Sequence, residues 1–179
     1  SFEQTLLSGI LVMQSKEELD ASYVNPDPWG YQTNPEDIRR KHFILSIIHM
    51  VAEGRQYRKA LDIGAGEAWI TKDIPSNIIH GYELSDTAFA RWPKNVLRVQ
   101  NFSLKYDLVL ATGVLYPHYD YKTMIDGIRN VAIGLVITSH IKGWGAYDDG
   151  FGSLIFKGEF PYREFNQELK VWRVNVPIP

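Results

Sequence analysis

The chain has 179 residues, room for one compact domain, and its 45% hydrophobic and 22% charged content is that of a globular protein rather than a disordered one. A formal charge of −2 excludes a global field that would draw in nucleic acid or an anionic membrane, so neither is expected as a partner. The absence of cysteine excludes disulfide, thiolate and Cys-type zinc chemistry. No run approaches the ~20 apolar residues of a membrane span, and no basic leader opens the chain, so a cytoplasmic protein is expected.

The first residue is Ser1 rather than methionine, as expected of a processed product or a piece of a longer multidomain chain. Residues 1–179 read as a single domain, with 1–34 an N-terminal arm or lid and 35–179 the core. The first clear helix opens at Asn34-Pro35-Glu36-Asp37: Asn34 suits the cap, Pro35 the first position and the two acids the first turn. Ile38, Ile44, Leu45, Ile47, Ile48, Val51 and Ala52 form its apolar stripe, and Gly54 ends it. A strand over 60–63 follows, then a helix over 67–74 stopped by Pro75. Further strands are predicted over 78–83, 96–99, 106–111 and 131–139, with helices over 85–91 and 121–129. Strands over 154–156 and 169–176, joined by a loop, close the chain as an antiparallel edge hairpin. Alternating strands and helices imply βαβ crossovers, hence a doubly wound, mostly parallel α/β sheet.

Most of the functional reading comes from Leu61-Asp62-Ile63-Gly64-Ala65-Gly66-Glu67-Ala68-Trp69, where the first strand turns away from the sheet. Closely spaced Gly64 and Gly66, with Ala65 between them, let backbone approach a ligand at the carboxyl edge of the strands. A dinucleotide fingerprint wants a third glycine where Trp69 stands, and Glu67 would repel a pyrophosphate. S-adenosylmethionine (SAM) has no phosphate and carries positive charge, which suits Asp62 and Glu67. Glu83, 17 residues after Gly66, sits near the ~20-residue spacing of a carboxylate that grips ribose hydroxyls; a solvated strand-end acid is the alternative. Leu84 follows it beside the same ligand. Asn101 and Phe102 read as an adenine contact or as a plain turn, and the strand over 106–111 leads through Thr112 and Gly113 to Tyr116 at the same rim.

In this order and spacing, these segments resemble the motifs of the class I SAM-dependent methyltransferases, over roughly residues 35–140. Leu61 to Gly66 matches the first motif, Glu83 the ribose acid, Asn101 the adenine contact, and Asp107 to Tyr116 the fourth-strand motif. The resemblance implies a seven-stranded sheet with the last strand antiparallel, SAM as cofactor and S-adenosylhomocysteine as product. Asn25-Pro26-Asp27-Pro28-Trp29-Gly30-Tyr31, followed by Arg39-Arg40-Lys41, resembles the entry segment of nodulation-protein-S-like methyltransferases, which implies a carbohydrate acceptor. Phe160-Pro161-Tyr162-Arg163-Glu164-Phe165 more weakly resembles sugar methyltransferase domains of large algal viruses. The expected activity is therefore O-methylation of a small molecule or glycan, with N-methylation of an amine or protein, or a non-catalytic binding module, as alternatives.

A hydroxyl acceptor must lose a proton, and His140 at the tip of a central strand is the first candidate base, with His118 second; surface histidines are the competing reading. Tyr31 is expected over the cofactor, and Trp29, Tyr116, Tyr162 and Arg163 at the acceptor. Arg39 or Arg40 is placed at the methionine carboxylate or on a solvated helix face. Asp148 and Asp149 with His140 offer oxygen and nitrogen to a divalent metal such as Mg²⁺, against a plain acidic loop; no metal is predicted.

Overall fold

The computed structural model describes residues 14–145 and 150–175. It opens with a helix that periodicity did not announce, α1 (Lys16–Ser22), which is closed by a capping box. Ser15 Oγ accepts from Glu18 N at 3.1 Å while Ser15 N donates to Glu18 Oε2 at 2.9 Å. The Ser15-Lys16-Glu17-Glu18 spacing is the signal that locates it. The long helix α2 (Pro35–Ala52) starts as read, with Asn34 Oδ1 accepting from Glu36 N at 2.9 Å. Glu53 and Gly54, both left-handed, end it.

Then follow β1 (Tyr57–Ile63), β2 (Ser76–Tyr82), α3 (Asp86–Phe89), β3 (Val96–Val99), β4 (Tyr106–Thr112), α4 (Tyr121–Val131), β5 (Ala132–Ile141), β6 (Ser153–Tyr162) and β7 (Phe165–Arg173). They build one seven-stranded sheet in the order β3-β2-β1-β4-β5-β7-β6. β1 to β5 run parallel, and β7 is antiparallel to both β5 and β6.

Strand alternation divides the core into two layers. In β4, Leu108 and Leu110 face Ile44 and Ile48 of α2, whereas Val109 and Ala111 face Ile128 and Val131 of α4. Both layers are fully buried at these positions. A sheet covered on both faces explains why β4 reads as a continuous apolar run.

Besides α1, and α3 being shorter than the helix expected over 85–91, two regions depart from the sequence expectation. The helix over 67–74 is absent, and a single 3₁₀ turn, Thr71–Asp73, stands there. Gly66 at φ 56° and Ala68 at φ 60° are both left-handed, which breaks a right-handed helix before its first turn closes. The hairpin is far longer than expected: β6 runs ten residues and only Arg163 and Glu164 separate it from β7. Gly158 and Pro161 concealed this strand, and β6 tolerates a proline because it is the sheet edge. Position 176, expected in the last strand, lies outside the described residues.

Candidate active site

At the carboxyl ends of β1, β4 and β5 the chain leaves a cleft of about 550 Å³, with glycine-loop backbone on one side and the arm and hairpin on the other. It lies where the strand order reverses between β1 and β4, the usual ligand position in an open α/β sheet.

The glycine loop is built by backbone demands. Gly64 at φ 71° donates its N–H to Tyr82 O at 2.8 Å, and a Cβ there would meet Val114 Cγ1 at 2.2 Å, so any side chain is strained and forces Val114 to shift. Ala65 donates to the same carbonyl at 3.1 Å. Gly66 donates its N–H to Glu83 Oε2 at 2.8 Å and accepts from Trp92 Nε1 at 2.6 Å. Glu83 Oε1 accepts from Ser85 N at 2.8 Å. The carboxylate thus ties the loop after β1 to the end of β2. It is buried, and burial raises its pKa against the opposing pull of these backbone donors.

Asp62 lines the cleft from beneath the loop. It is 3% exposed, accepts from Thr71 Oγ1 at 2.7 Å, and burial pushes its pKa up to about 7. Arg40 of α2 also enters the cleft, buried, with its Nε 3.4 Å from Gln167 Oε1. Gln167 in turn accepts from Ser139 Oγ at 2.6 Å. Arg39 stays exposed beside Glu36.

The arm is strapped onto this frame. Asp27 N donates to both oxygens of Glu67, at 3.2 and 3.0 Å, and Arg91 pairs with Glu67 Oε1 at 2.7 Å. Glu67 lines the cleft, but its carboxylate is already bonded to the arm and to Arg91. Trp29 stacks with Tyr31 at 5.8 Å and meets Tyr23 edge-on at 5.0 Å, and all three rings line the cleft. Asp20 of α1 fastens the other end of the arm by accepting from Ser85 Oγ at 2.6 Å and Thr87 N at 3.0 Å.

The hairpin turn completes the wall. Tyr162 and Arg163 line the cleft, and both reach Asp37 in the first turn of α2. Tyr162 Oη donates to Asp37 Oδ1 at 2.6 Å, and Arg163 pairs with Asp37 Oδ2 at 2.9 Å and donates to Trp29 O at 2.9 Å. Asp37 is only 2% exposed, although its place in a first helical turn reads as solvated. Nothing in the sequence pairs it with a hairpin 125 residues away.

The structure therefore brings Asp62, Gly64, Ala65, Gly66, Thr112, Tyr31, Trp29, Tyr116, Tyr162 and Arg163 to one cleft. It does not bring the histidines there. His140 alternates with Ile141, which lines the cleft, so the histidine lies on the other face of β5, beside Glu168 (Nε2 to Oε1, 3.8 Å) and under Gly145. Burial lowers its pKa. His118 is buried between Tyr116 and Tyr119, ring centroids 5.7 and 4.0 Å away, and burial pushes its pKa down to about 4. A period of two and a buried loop removed both from the position that strand-tip reasoning assigned.

The expected adenine contacts also lie off the cleft lining. Asn101 is exposed and accepts from Ser103 Oγ at 2.6 Å, while the Phe102 ring packs on Tyr82 at 4.6 Å and against Gly127. Leu84 is 41% exposed. Glu83 is not itself among the lining residues; its carboxylate stands at the cleft edge, bonded to the Gly66 and Ser85 N–H groups. Among the described residues no cluster of three or more His, Asp or Glu side chains suits a metal; Asp148 and Asp149 lie outside them. No described helix is long and apolar enough to cross a membrane.

No family model and no curated protein matches the chain by sequence. Solved structures do match by shape. The N-methyltransferase NodS of Bradyrhizobium japonicum WM9, in complex with S-adenosyl-L-homocysteine, superposes at TM-score 0.71 with 15% identity, over 90% of this chain and 98% of that one. Magnesium protoporphyrin IX methyltransferase ChlM of Synechocystis PCC 6803, with bound SAM, gives 0.66 at 15% identity, over 93% and 100%. The CurJ carbon methyltransferase gives 0.62 at 11% identity, over 91% of this chain and 62% of that one. The chain has the fold of the class I SAM-dependent methyltransferases.

Proposed function

We propose that the protein is a SAM-dependent methyltransferase acting on a small acceptor, most specifically on a hydroxyl of a carbohydrate-like molecule. The observation that carries the reading is the left-handed glycine loop whose Gly66 N–H is held by the Glu83 carboxylate, at the mouth of a cleft at the topological switch. The donor and acceptor chemistry of that cleft fits SAM. Arg40 is a buried cation available to the methionine carboxylate, Asp62 a buried acid available to its ammonium, and Glu83, at the cleft edge, an acid whose lone pairs beyond the two backbone bonds are available to the ribose. SAM when bound supplies a methyl group on a sulfonium, an already good leaving group.

The chain's own residues then have three tasks. Gly64 and Gly66 present backbone without Cβ obstruction, so the loop sets donor position. The arm rings Tyr23, Trp29 and Tyr31, fixed through Glu67 and Arg163, exclude water from the reacting atoms. Trp29, Tyr31 and Tyr162 offer flat faces to the C–H groups of a sugar ring, and Gln32 and Arg163 offer polar groups at the rim.

A second reading, N-methylation of an amine, is favoured by one observation: both histidines lie off the cleft, and an amine presented neutral has less need of a base. Calorimetric titration tests the common part. We expect SAM to bind and NAD to give no heat; absence of SAM binding overturns the reading. S-adenosylhomocysteine release with methyl glycosides and with primary amines then separates the two acceptors.

A further inference from the structure

With the histidines elsewhere, a hydroxyl acceptor still has to lose its proton. One buried, hydrogen-bonded pair at the cleft wall is arranged to take it. Tyr162 closes β6 and lines the cleft, and its hydroxyl proton is committed to Asp37 Oδ1 at 2.6 Å. A phenol that donates its only proton inward turns oxygen lone pairs outward, so toward the cleft Tyr162 Oη is an acceptor. The second Asp37 oxygen is held by Arg163 at 2.9 Å, so the carboxylate cannot rotate away.

The backbone supports a built device. Arg163 adopts φ 53° in the two-residue turn, a left-handed conformation that a side-chain-bearing residue disfavours. Such strain persists where surrounding contacts fix it, and here the fixing contacts are Asp37 and Trp29 O. Burial, then the Asp37 bond, raises the Tyr162 pKa, so the phenol keeps its proton in the resting protein and gives it up only as it takes another.

We propose that Tyr162 and Asp37 form the proton relay for methylation of a hydroxyl acceptor, Tyr162 as the catalytic residue that touches the acceptor and Asp37 as the terminal acceptor behind it. This rests on the methyl-transfer reading above. As the acceptor oxygen bonds the methyl carbon, its O–H bond breaks and the proton forms a new bond to Tyr162 Oη. The proton that Tyr162 carried passes to Asp37 Oδ1. The sulfonium sulfur keeps the electron pair of the broken S–C bond, so its positive charge and the carboxylate's negative charge vanish together. Among the described residues, the charged and titratable groups beside the pair are Arg163, Arg40 and Tyr31, none of them a carboxylate that competes for the proton.

The test compares wild type with Tyr162→Phe and Asp37→Asn, using methyl glycosides and primary amines as acceptors. Calorimetry measures SAM binding in each. We expect Tyr162→Phe to lower kcat on glycosides by about 100-fold or more, a fall far larger than any change in KM or in SAM affinity and far larger than the fall on amines. Its residual glycoside rate should climb with pH as hydroxide replaces the relay. A downfield hydroxyl proton resonance in the ligand-free protein should vanish in both variants. The proposal is overturned if Tyr162→Phe keeps wild-type kcat on glycosides, or if wild type binds SAM yet methylates only amines. Should Asp37→Asn fail to fold, Tyr162→Phe decides alone. Failure of wild type to bind SAM at all removes the parent reading instead, which keeps the two failures distinct.

Discussion

The two sides of the cleft are built by opposite means. The glycine-loop side comes from 61–85, a short stretch of chain, and its bonds are mainly backbone to backbone or backbone to Glu83. The hairpin side joins residues far apart in sequence, Asp37, Tyr162, Arg163 and Trp29, through side chains. The lesson is physical. A site made of local backbone geometry leaves a motif, because only glycine and a correctly spaced acid satisfy it. A site made of distant side chains leaves none.

The comparison can be broken most severely at the loop. Gly64→Ala adds a Cβ to a left-handed residue, ~1–2 kcal/mol, and drives it into Val114, a further ~1–3 kcal/mol of overpacking. We expect loss of SAM affinity together with a lower urea midpoint. A Gly64→Ala protein with wild-type affinity would show that the loop is not the cofactor floor.

Glu83→Ala comes next. It strips the acceptor from Gly66 and Ser85 N–H groups that are otherwise held in place, ~1–3 kcal/mol for an unsatisfied buried donor. On the proposed reading, in which Glu83 accepts from the ribose, SAM binding should weaken by about 100-fold, as ~2–3 kcal/mol implies. Calorimetry reads both the affinity and, with a thermal scan, the stability.

A pH series sharpens the contrast. Asp62 has its pKa raised from 3.8 to about 7 by burial, so between these values the folded chain holds a proton that the unfolded chain has released. Its contribution to stability therefore falls as pH rises through that window and is flat above it. Binding of a cation requires the ionised form, so SAM affinity should drop on acidification below about 7, by up to roughly tenfold per pH unit. Asp62→Asn should abolish this slope, and a slope surviving in that variant would reassign it to another group.

The smallest expected effect is at His140. On the face of β5 away from the cleft, His140→Ala should leave SAM affinity and turnover near wild type while lowering stability modestly, because a buried ring is lost. A large fall in kcat with unchanged stability would restore the histidine as the base.

Much of the frame was legible in the residues. The Asn34 cap, the β4 apolar run, the glycine loop and the spacing to Glu83 each follow from a local rule. Where reading failed, a non-local term intervened. The helix over 67–74 was lost to left-handed Gly66 and Ala68, conformations that the surrounding loop imposes. Asn101 and Phe102 have the right types in the right order, yet packing of Phe102 on Tyr82 and against Gly127 takes the ring elsewhere. His140 was placed at the correct strand end but on the wrong face, a difference of one residue in a period of two.

The sequence by itself determined the α/β alternation, the loop after β1 and the acid that closes β2, because glycine conformation and strand periodicity act over a few residues. Only the tertiary structure decided which side chains line the cleft wall. Asp37 becomes a buried partner of Tyr162 and Arg163 because the sheet order brings the β6–β7 turn against the start of α2. That meeting depends on the register of β5, β7 and β6, and register is settled by the whole buried sheet rather than by either segment alone.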